Sequence, residues 1–237
     1  MTDGKKFEAH GIRRYSPEEQ AILRQQLLDT TRNAILGEVS QLPMGIYTSV
    51  ELAPHVQQFA DSCGIASALA IRSGIGKARH VVLPVIREED LVRRAQERGI
   101  YDRGGLFADD STARFFREEV GIEARFQPNE APGYGRLCVQ GIREGNLVML
   151  LQPGHFTVLY GFDKLSENEI RWLQIDPLRS NPQRITTQDL SERLVGSVLR
   201  NTGRGVPGQA LVVDVSESTL LLKQVSRFTT TRKFRPH

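Results

Sequence analysis

Cys63 stands where the polar run Gln57-Gln58-Phe59-Ala60-Asp61-Ser62 gives way to the apolar, alanine-rich run Gly64-Ile65-Ala66-Ser67-Ala68-Leu69. The second run reads as a buried helix, which places the thiol at a helix N-terminus. There it meets the positive end of the macrodipole and backbone N–H groups that no helical carbonyl answers. Both features favour the thiolate, the nucleophilic form of cysteine. The same N–H groups suit the oxyanion of an acyl-transfer intermediate. Gln57, six positions upstream, is near enough to aim its side-chain amide at that oxyanion. Free cysteine is also among the most buried residue types, so a thiol that merely packs is the competing reading.

A base for this thiol lies downstream. Gly154-His155-Phe156-Thr157-Val158-Leu159-Tyr160-Gly161-Phe162 is a β-branched and aromatic run closed by glycine, and predicts a strand opened by His155. A polar turn, Asp163 to Glu169, leads to a second strand, Ile170-Arg171-Trp172-Leu173-Gln174-Ile175, which ends at Asp176-Pro177. As an antiparallel hairpin the two runs bring His155 beside Asp176. A carboxylate there accepts from one imidazole nitrogen, fixes the tautomer and leaves the other nitrogen for a thiol. Asp-Pro is also a common turn dipeptide, and a lone strand histidine is commonly structural. Taken together, Gln57, Cys63, His155 and Asp176 fall in an order that makes a Cys-His-Asp nucleophilic site.

These motifs resemble a known group. Gln57 with Asp61-Ser62-Cys63-Gly64-Ile65-Ala66-Ser67, Gly154-His155-Phe156-Thr157-Val158 and Ile175-Asp176-Pro177 resemble the signature of papain-like cysteine peptidases. Within that group the pattern is most similar to the bacteriocin leader peptidase branch. Those enzymes usually carry Asp directly before the cysteine, whereas here Ser62 does and the acid is Asp61. Asp90 to Gly99, followed by Gly105-Leu106-Phe107, is loosely similar to the actin maturation protease. The Cys-Gly-x-Ala-Ser run and Gly-His-Phe are shared with phytochelatin synthases, which are γ-glutamylcysteine transferases. The resemblance implies a papain-like fold, with Gln57 in the oxyanion hole, Cys63 as nucleophile, His155 as base and Asp176 as its orienter.

The elements that must hold these residues can be placed along the chain. Ser16-Pro17-Glu18-Glu19 is a helix start with a capping box, and Ile22, Leu23, Leu27, Leu28, Ile35 and Leu36 approximate one apolar face. Ile46–Val50 is expected to be extended, and the Cys63 helix to run to Arg72 and close at Gly74 and Gly76. Helices follow from Glu88 to Arg98 and from Asp110 to Gly121, with Gly99 and Gly121 as stops. Ile122–Phe126 alternates like a strand, and Gln127 to Gly135 reads as a Pro/Gly-rich loop bordering a cleft. Leu137 to Gly145 is a short helix containing Cys138, and Val148–Leu151 a buried strand. Asn181–Ile185 predicts a strand and Thr187–Leu190 a helix start capped by Thr186 or Thr187. Gly203 to Gly208 is a loop, and Ala210–Val215 and Thr219–Leu222 are late strands. The class is α+β, with the nucleophile on a central helix packed against an antiparallel sheet that bears His155 and Asp176. The expected organisation is an N-terminal helical arm over 1–45, a catalytic domain over 46–222 and a basic tail over 223–237.

Length and composition fit this plan. The 237 residues are enough for one domain with an ample core, and 39% hydrophobic with 25% charged is ordinary for a globular chain. Two cysteines make no disulfide framework, and Met1-Thr2-Asp3-Gly4-Lys5-Lys6 has no signal-peptide character. A reducing compartment such as the cytoplasm, or delivery by a non-classical route, is the reading. No stretch approaches ~18 consecutive apolar residues, so no membrane span is expected. The net charge of +3 is uneven: Lys223, Arg227, Arg232, Lys233 and Arg235 crowd the C-terminal segment without an intervening acid. Such a tail suits an acidic partner, or is simply solvated. Zinc spacings, Walker loops and aromatic-basic RNA motifs are absent, which argues against nucleic acid as partner. His10, His55, His80 and His237 lack metal-ligand spacing, and no cofactor is expected.

The chemistry implied is attack of Cys63 on a peptide or amide carbonyl through a thioester, with a peptide or protein as substrate. With water as acceptor the product is that of a peptidase, or of a deamidase on a glutamine side chain. With an amine as acceptor it is that of a transglutaminase or peptidyltransferase, and a secreted effector or toxin fits these by analogy of fold. A catalytically silent binding or adaptor protein is the alternative of a different class.

Overall fold

The computed structural model describes residues 16–102, 105–106, 109–129, 131–152, 154–202 and 208–232. Seven strands form one sheet in the order β4-β9-β5-β6-β7-β8, with β1 also paired to β6. Their ranges are β1 Gly45–Thr48, β4 Glu123–Asn129, β5 Leu147–Gln152, β6 His155–Lys164, β7 Ile170–Ile175, β8 Gln183–Thr186 and β9 Gly208–Asp214. Every pairing is antiparallel. A separate two-stranded ribbon joins β2 Tyr101–Asp102 to β3 Gly105–Leu106. The fold is α+β.

Helices cover both faces of the sheet. On the front lie α2 Cys63–Ala78, α3 Glu88–Glu97, α4 Asp110–Phe115 and α7 Val215–Arg232; α4 runs on into a π-helical turn, Phe116–Val120. On the back lie α1 Pro17–Ser40, α5 Ala131–Arg143 and α6 Thr187–Thr202. Strand alternation divides the core accordingly. Leu147 and Met149 of β5 join the front cluster with α2, whereas Val148 and Leu150 join the back cluster with α1, α5 and α6. Each fully buried Ile, Leu or Phe in these layers contributes about 1.5–3 kcal/mol.

β6 serves both faces through a bulge. β7 pairs Leu159 with Gln174 and then Gly161 with Leu173, so Tyr160 is an extra residue. Before it, Phe156, Val158 and Tyr160 belong to the front cluster; beyond it, Phe162 belongs to the back. Lys164, next on the back side, is 4% exposed, and its Nζ donates to the carbonyls of Val39, Ser40 and Leu42. Those carbonyls end α1, where a helix leaves acceptors without partners. One ammonium therefore ties the helix end to the sheet.

Three expectations about elements are corrected. Gly74 and Gly76 lie inside α2 rather than closing it. A Cβ at Gly74 would stand 2.3 Å from Leu52 Cδ2, so glycine is there for close approach. The Gln127–Gly135 loop is instead the end of β4 and the start of α5, which takes in Gly135 and runs to Arg143. A Cβ at Gly135 would stand 2.8 Å from Ile35 Cγ1, and the bare backbone lets α5 lie against α1. Thr219–Leu222 is not a strand but part of α7, whose buried residues Val215, Ser218, Thr219 and Leu222 follow a helical period. Asp214 Oδ1 accepts from Glu217 N at 2.9 Å and starts that helix.

The other predicted helices and strands are present, several running beyond the expected bounds. The Ser16–Glu19 capping box is made in both directions. Lys223 is exposed on α7, while Lys233, Arg235 and most of the 203–208 loop lie outside the described residues, as do His10, His237 and Phe107. No described helix is long and apolar enough to cross a membrane.

Candidate active site

Cys63 is the first residue of α2, and the first helical hydrogen bond runs from Ala66 N to Ser62 O at 2.8 Å. The N–H groups of Cys63, Gly64 and Ile65 therefore precede the helical ladder. Ser62 makes no side-chain cap, and the first turn carries no acid. Thirteen of the sixteen α2 residues are buried, so this is a central helix rather than an amphipathic surface one. Gly64 lets its start approach the sheet: a Cβ there would stand 3.0 Å from the Phe156 ring and 3.1 Å from Leu106.

The sheet supplies the partners. His155 Nε2 lies 2.7 Å from Asp176 Oδ1, with side chains 21% and 15% exposed. The hairpin predicted from sequence forms, with Val158 opposite Ile175, so the start of β6 and the end of β7 are neighbours. Because Nε2 faces Asp176, Nδ1 is the ring nitrogen left for Cys63, which is near enough to raise the His155 pKa. β7 pairs with β6 only from Val158 onward, which frees Phe156 N–H to donate to Cys63 Sγ at 3.3 Å.

The electrostatics follow from these contacts. Partial burial pulls the His155 pKa down, but the hydrogen bond to Asp176, the nearness of Cys63 and the negative charges at both outweigh it. The imidazole is pushed up from 6.5 to about 9. Burial raises the Asp176 carboxyl, yet the bonds from His155 and Leu178 N, with the charges of His155 and Arg193, hold it below its ordinary value. Arg193 of α6 is anchored to Gln174 Oε1 at 3.0 Å. Such a pair is charged, imidazolium beside carboxylate, with a sulfur near the other nitrogen.

Gln57 sits on the loop that enters α2, and its N–H donates to Pro177 O at 3.0 Å, joining that loop to the one after Asp176. Its Nε2 donates to Phe59 O at 2.9 Å and to Ala60 O at 2.8 Å, while Oε1 is buried without a partner. Both amide protons thus hold the loop in this state, and an oxyanion would compete with those carbonyls for one of them. Phe59, on the loop that enters α2, is 40% exposed, and Leu178, two residues after Asp176, is 60% exposed. Tyr101 of β2 is near enough to feel the site: burial first, then the charges of Asp61, Cys63 and Glu88, push its phenol up.

The four residues singled out from sequence thus lie on three adjoining segments, with His155 bonded to Asp176 and Cys63 near enough to act on the imidazole. Sequence reasoning missed Glu88, whose buried carboxylate grips the Gln57–Ser62 loop, and Arg193, which faces Asp176 from the back helix. Glu88 is one of three acids in a row, and nothing in the sequence sets it apart from Glu89 and Asp90. Among the described residues, no cluster of three or more His, Cys, Asp or Glu is disposed to hold a metal ion.

No family model matches the chain. No curated protein matches it either. Among solved structures it is similar to the crystal structure of UfSP from C. elegans, at 18% identity with a TM-score of 0.43. That match takes in 76% of this chain and 36% of the other, so the chain spans about a third of the length of the structure it matches.

Proposed function

We propose that this chain is a papain-like cysteine peptidase that cleaves a peptide or amide bond through a thioester at Cys63. The observation that carries the reading is His155 bonded to Asp176 beside a sulfur that lies at an uncapped helix start and accepts a backbone N–H from the residue after His155. His155 holds the proton taken from the thiol, and Asp176 stabilises the resulting imidazolium. Cys63 attacks the carbonyl carbon; the C–S bond forms as the carbonyl oxygen takes the negative charge. The Cys63 N–H, at the head of the helix, and the Gln57 amide, on releasing a loop carbonyl, receive that oxyanion. His155 then protonates the leaving amine, and water attacks the thioester to release the acid and regenerate the thiol.

Residues 46–222 are the proposed catalytic unit, with α1 laid on its back. Placement in the leader peptidase-like branch is a finer proposal that rests on Gln57, Asp61–Gly64, Gly154–His155 and Ile175–Pro177 alone. The substrate is a peptide or protein segment, and the exposed Phe59 and Leu178, on the two loops that carry Gln57 and follow Asp176, favour apolar side chains near the cut.

Iodoacetamide labelling against pH, with the labelled site mapped by mass spectrometry, tests the reading. Cys63 should label rapidly well below pH 8, and His155→Ala should abolish that low-pH reactivity. An ordinary thiol profile in the wild type, unchanged in His155→Ala, would overturn the nucleophile and favour a binding protein on this scaffold.

A further inference from the structure

We propose that Glu88 is a positioning residue for the oxyanion hole, acting through Gln58 and Ser62 on the loop that delivers Gln57 and Cys63. This inference rests on the catalytic reading above and adds to it a residue besides Cys63, His155 and Asp176.

Glu88 opens α3, and its side chain is wholly buried. Oε1 accepts from Gln58 N at 2.9 Å and from the Ser62 hydroxyl; Oε2 lies 3.0 Å from His55 Nε2. One carboxylate thus grips positions 55, 58 and 62 of a single loop. The far side of the loop is tied to the catalytic hairpin through Gln57 N and Pro177 O. The Gln57 amide and the Cys63 N–H are therefore set by a segment strung between α3 and the residue after Asp176. Burying a carboxylate is costly unless donors surround it. Here burial raises the Glu88 carboxyl, but the bonds from His55, Ser62 and Gln58 N more than reverse this and keep it charged.

A second catalytic row at this cluster is ruled out by order and access. The carboxylate stands between Ser62 and His55, so no imidazole reaches the hydroxyl, and Ser62 is 0% exposed. The Ser62 hydroxyl is engaged by Glu88 and by the Phe59 backbone rather than by the first N–H groups of α2, which starts without a side-chain cap. Those contacts anchor the loop and leave the helix start open for a substrate oxygen.

His155 opens β6 and Asp176 follows β7, whereas the side-chain hydrogen bonds of Glu88 run to His55, Gln58 and Ser62. Loss of the Glu88 grip should displace the oxyanion donors while leaving Cys63, His155 and Asp176 in place. Two reactions of the same sulfur separate these parts. Alkylation by iodoacetamide is a direct displacement that builds no oxyanion. Acylation by p-nitrophenyl acetate forms the C–S bond, breaks the ester C–O bond and releases p-nitrophenolate, passing through an oxyanion and needing no proton for the leaving group.

The experiment measures both rates at pH 7 on the full chain, with Glu88→Ala, Glu88→Gln, Ser62→Ala and the double variant Glu88→Ala/Ser62→Ala. Cys63 alkylation should stay within about twofold of wild type, whereas kcat for acylation should fall ~10- to 100-fold in Glu88→Ala with KM little changed. Glu88→Gln keeps an oxygen for Gln58 N–H and the Ser62 hydroxyl and should recover most of the loss. Ser62→Ala should slow acylation in the same sense, and the double variant should be no slower than Glu88→Ala. Should Glu88→Ala fail to fold, Ser62→Ala decides by the same ratio of the two rates. Acylation and alkylation falling together, or acylation unchanged, would overturn the role of Glu88 alone. A wild type that neither alkylates rapidly nor acylates would overturn the catalytic reading and this inference with it.

Discussion

The two faces of the sheet each hold one buried cysteine, and the contrast between them separates packing from chemistry. Cys138, on the back, is 0% exposed among Val139, Leu150 and Trp172, and burial pushes its thiol up to about 12. Cys63, on the front, is 6% exposed, almost as hidden. The difference is in what points at the sulfur: a helix start, the Phe156 N–H and His155. Polar groups on the back finish elements. Lys164 closes α1, Thr186 Oγ1 accepts from Asp189 N to start α6, and Trp172 Nε1 donates to Thr187 Oγ1. On the front, the start of α2, the Phe156 N–H and His155 are gathered about one atom, the Cys63 sulfur. Burial alone says nothing of a cysteine's role; the donors around it do.

The comparison can be broken at several points. Cys63→Ala should cost on the order of 10⁴–10⁶ in turnover with no loss of thermal stability; comparable turnover would erase the distinction between the faces. Asp176→Asn should cost up to ~10⁴ in kcat by giving His155 the wrong tautomer, read by steady-state kinetics at fixed pH. A pH series of melting temperatures gives a third measure. His155 binds its proton more tightly folded than unfolded, so its contribution to stability is full below 6.5 and is lost as pH rises through about 9. Wild type should therefore lose stability relative to His155→Gln across that window, and parallel curves would count against the charged pair.

On the back, Lys164→Met takes the ammonium from the carbonyls of Val39, Ser40 and Leu42, of which Val39 O still accepts from Leu42 N. It should cost about 2–3 kcal/mol in denaturant unfolding while sparing the rate of Cys63 alkylation. The smallest effect belongs to Cys138→Ala, which should cost about 1 kcal/mol of stability and leave activity within a factor of two.

The α+β class, and the element ends at which Cys63, His155 and Asp176 stand, were legible in the sequence; several elements around them were not, for a physical reason. Cys63, His155 and Asp176 each announce themselves through local context: a helix start, a strand start, a strand end before proline. Glycine misled where its neighbour is distant. Gly74 and Gly135 look like stops, but their role is set by Leu52 and Ile35, far away in the chain. The leucine run of α7 failed likewise, since helix or strand is settled there by what Val215 and Leu222 bury against. Glu88 stayed hidden because its three partners are met only after the chain folds back from α3.

The extra residue at Tyr160 carries a lesson about how this chain can vary over generations. A strand is read in steps of two, like a frame, and the bulge shifts that frame once in the middle of β6. Upstream the frame places Phe156 against the nucleophile's helix; downstream it aims Lys164 at the end of α1. Exchanging one side chain for another at Tyr160 leaves both halves in phase. Losing that single codon would restore plain alternation from Leu159 through Gly161 to Phe162 opposite Gln174, Leu173 and Trp172, so Phe162 and Lys164 would keep their side and the bulge is the one point in β6 where length can shrink without turning them.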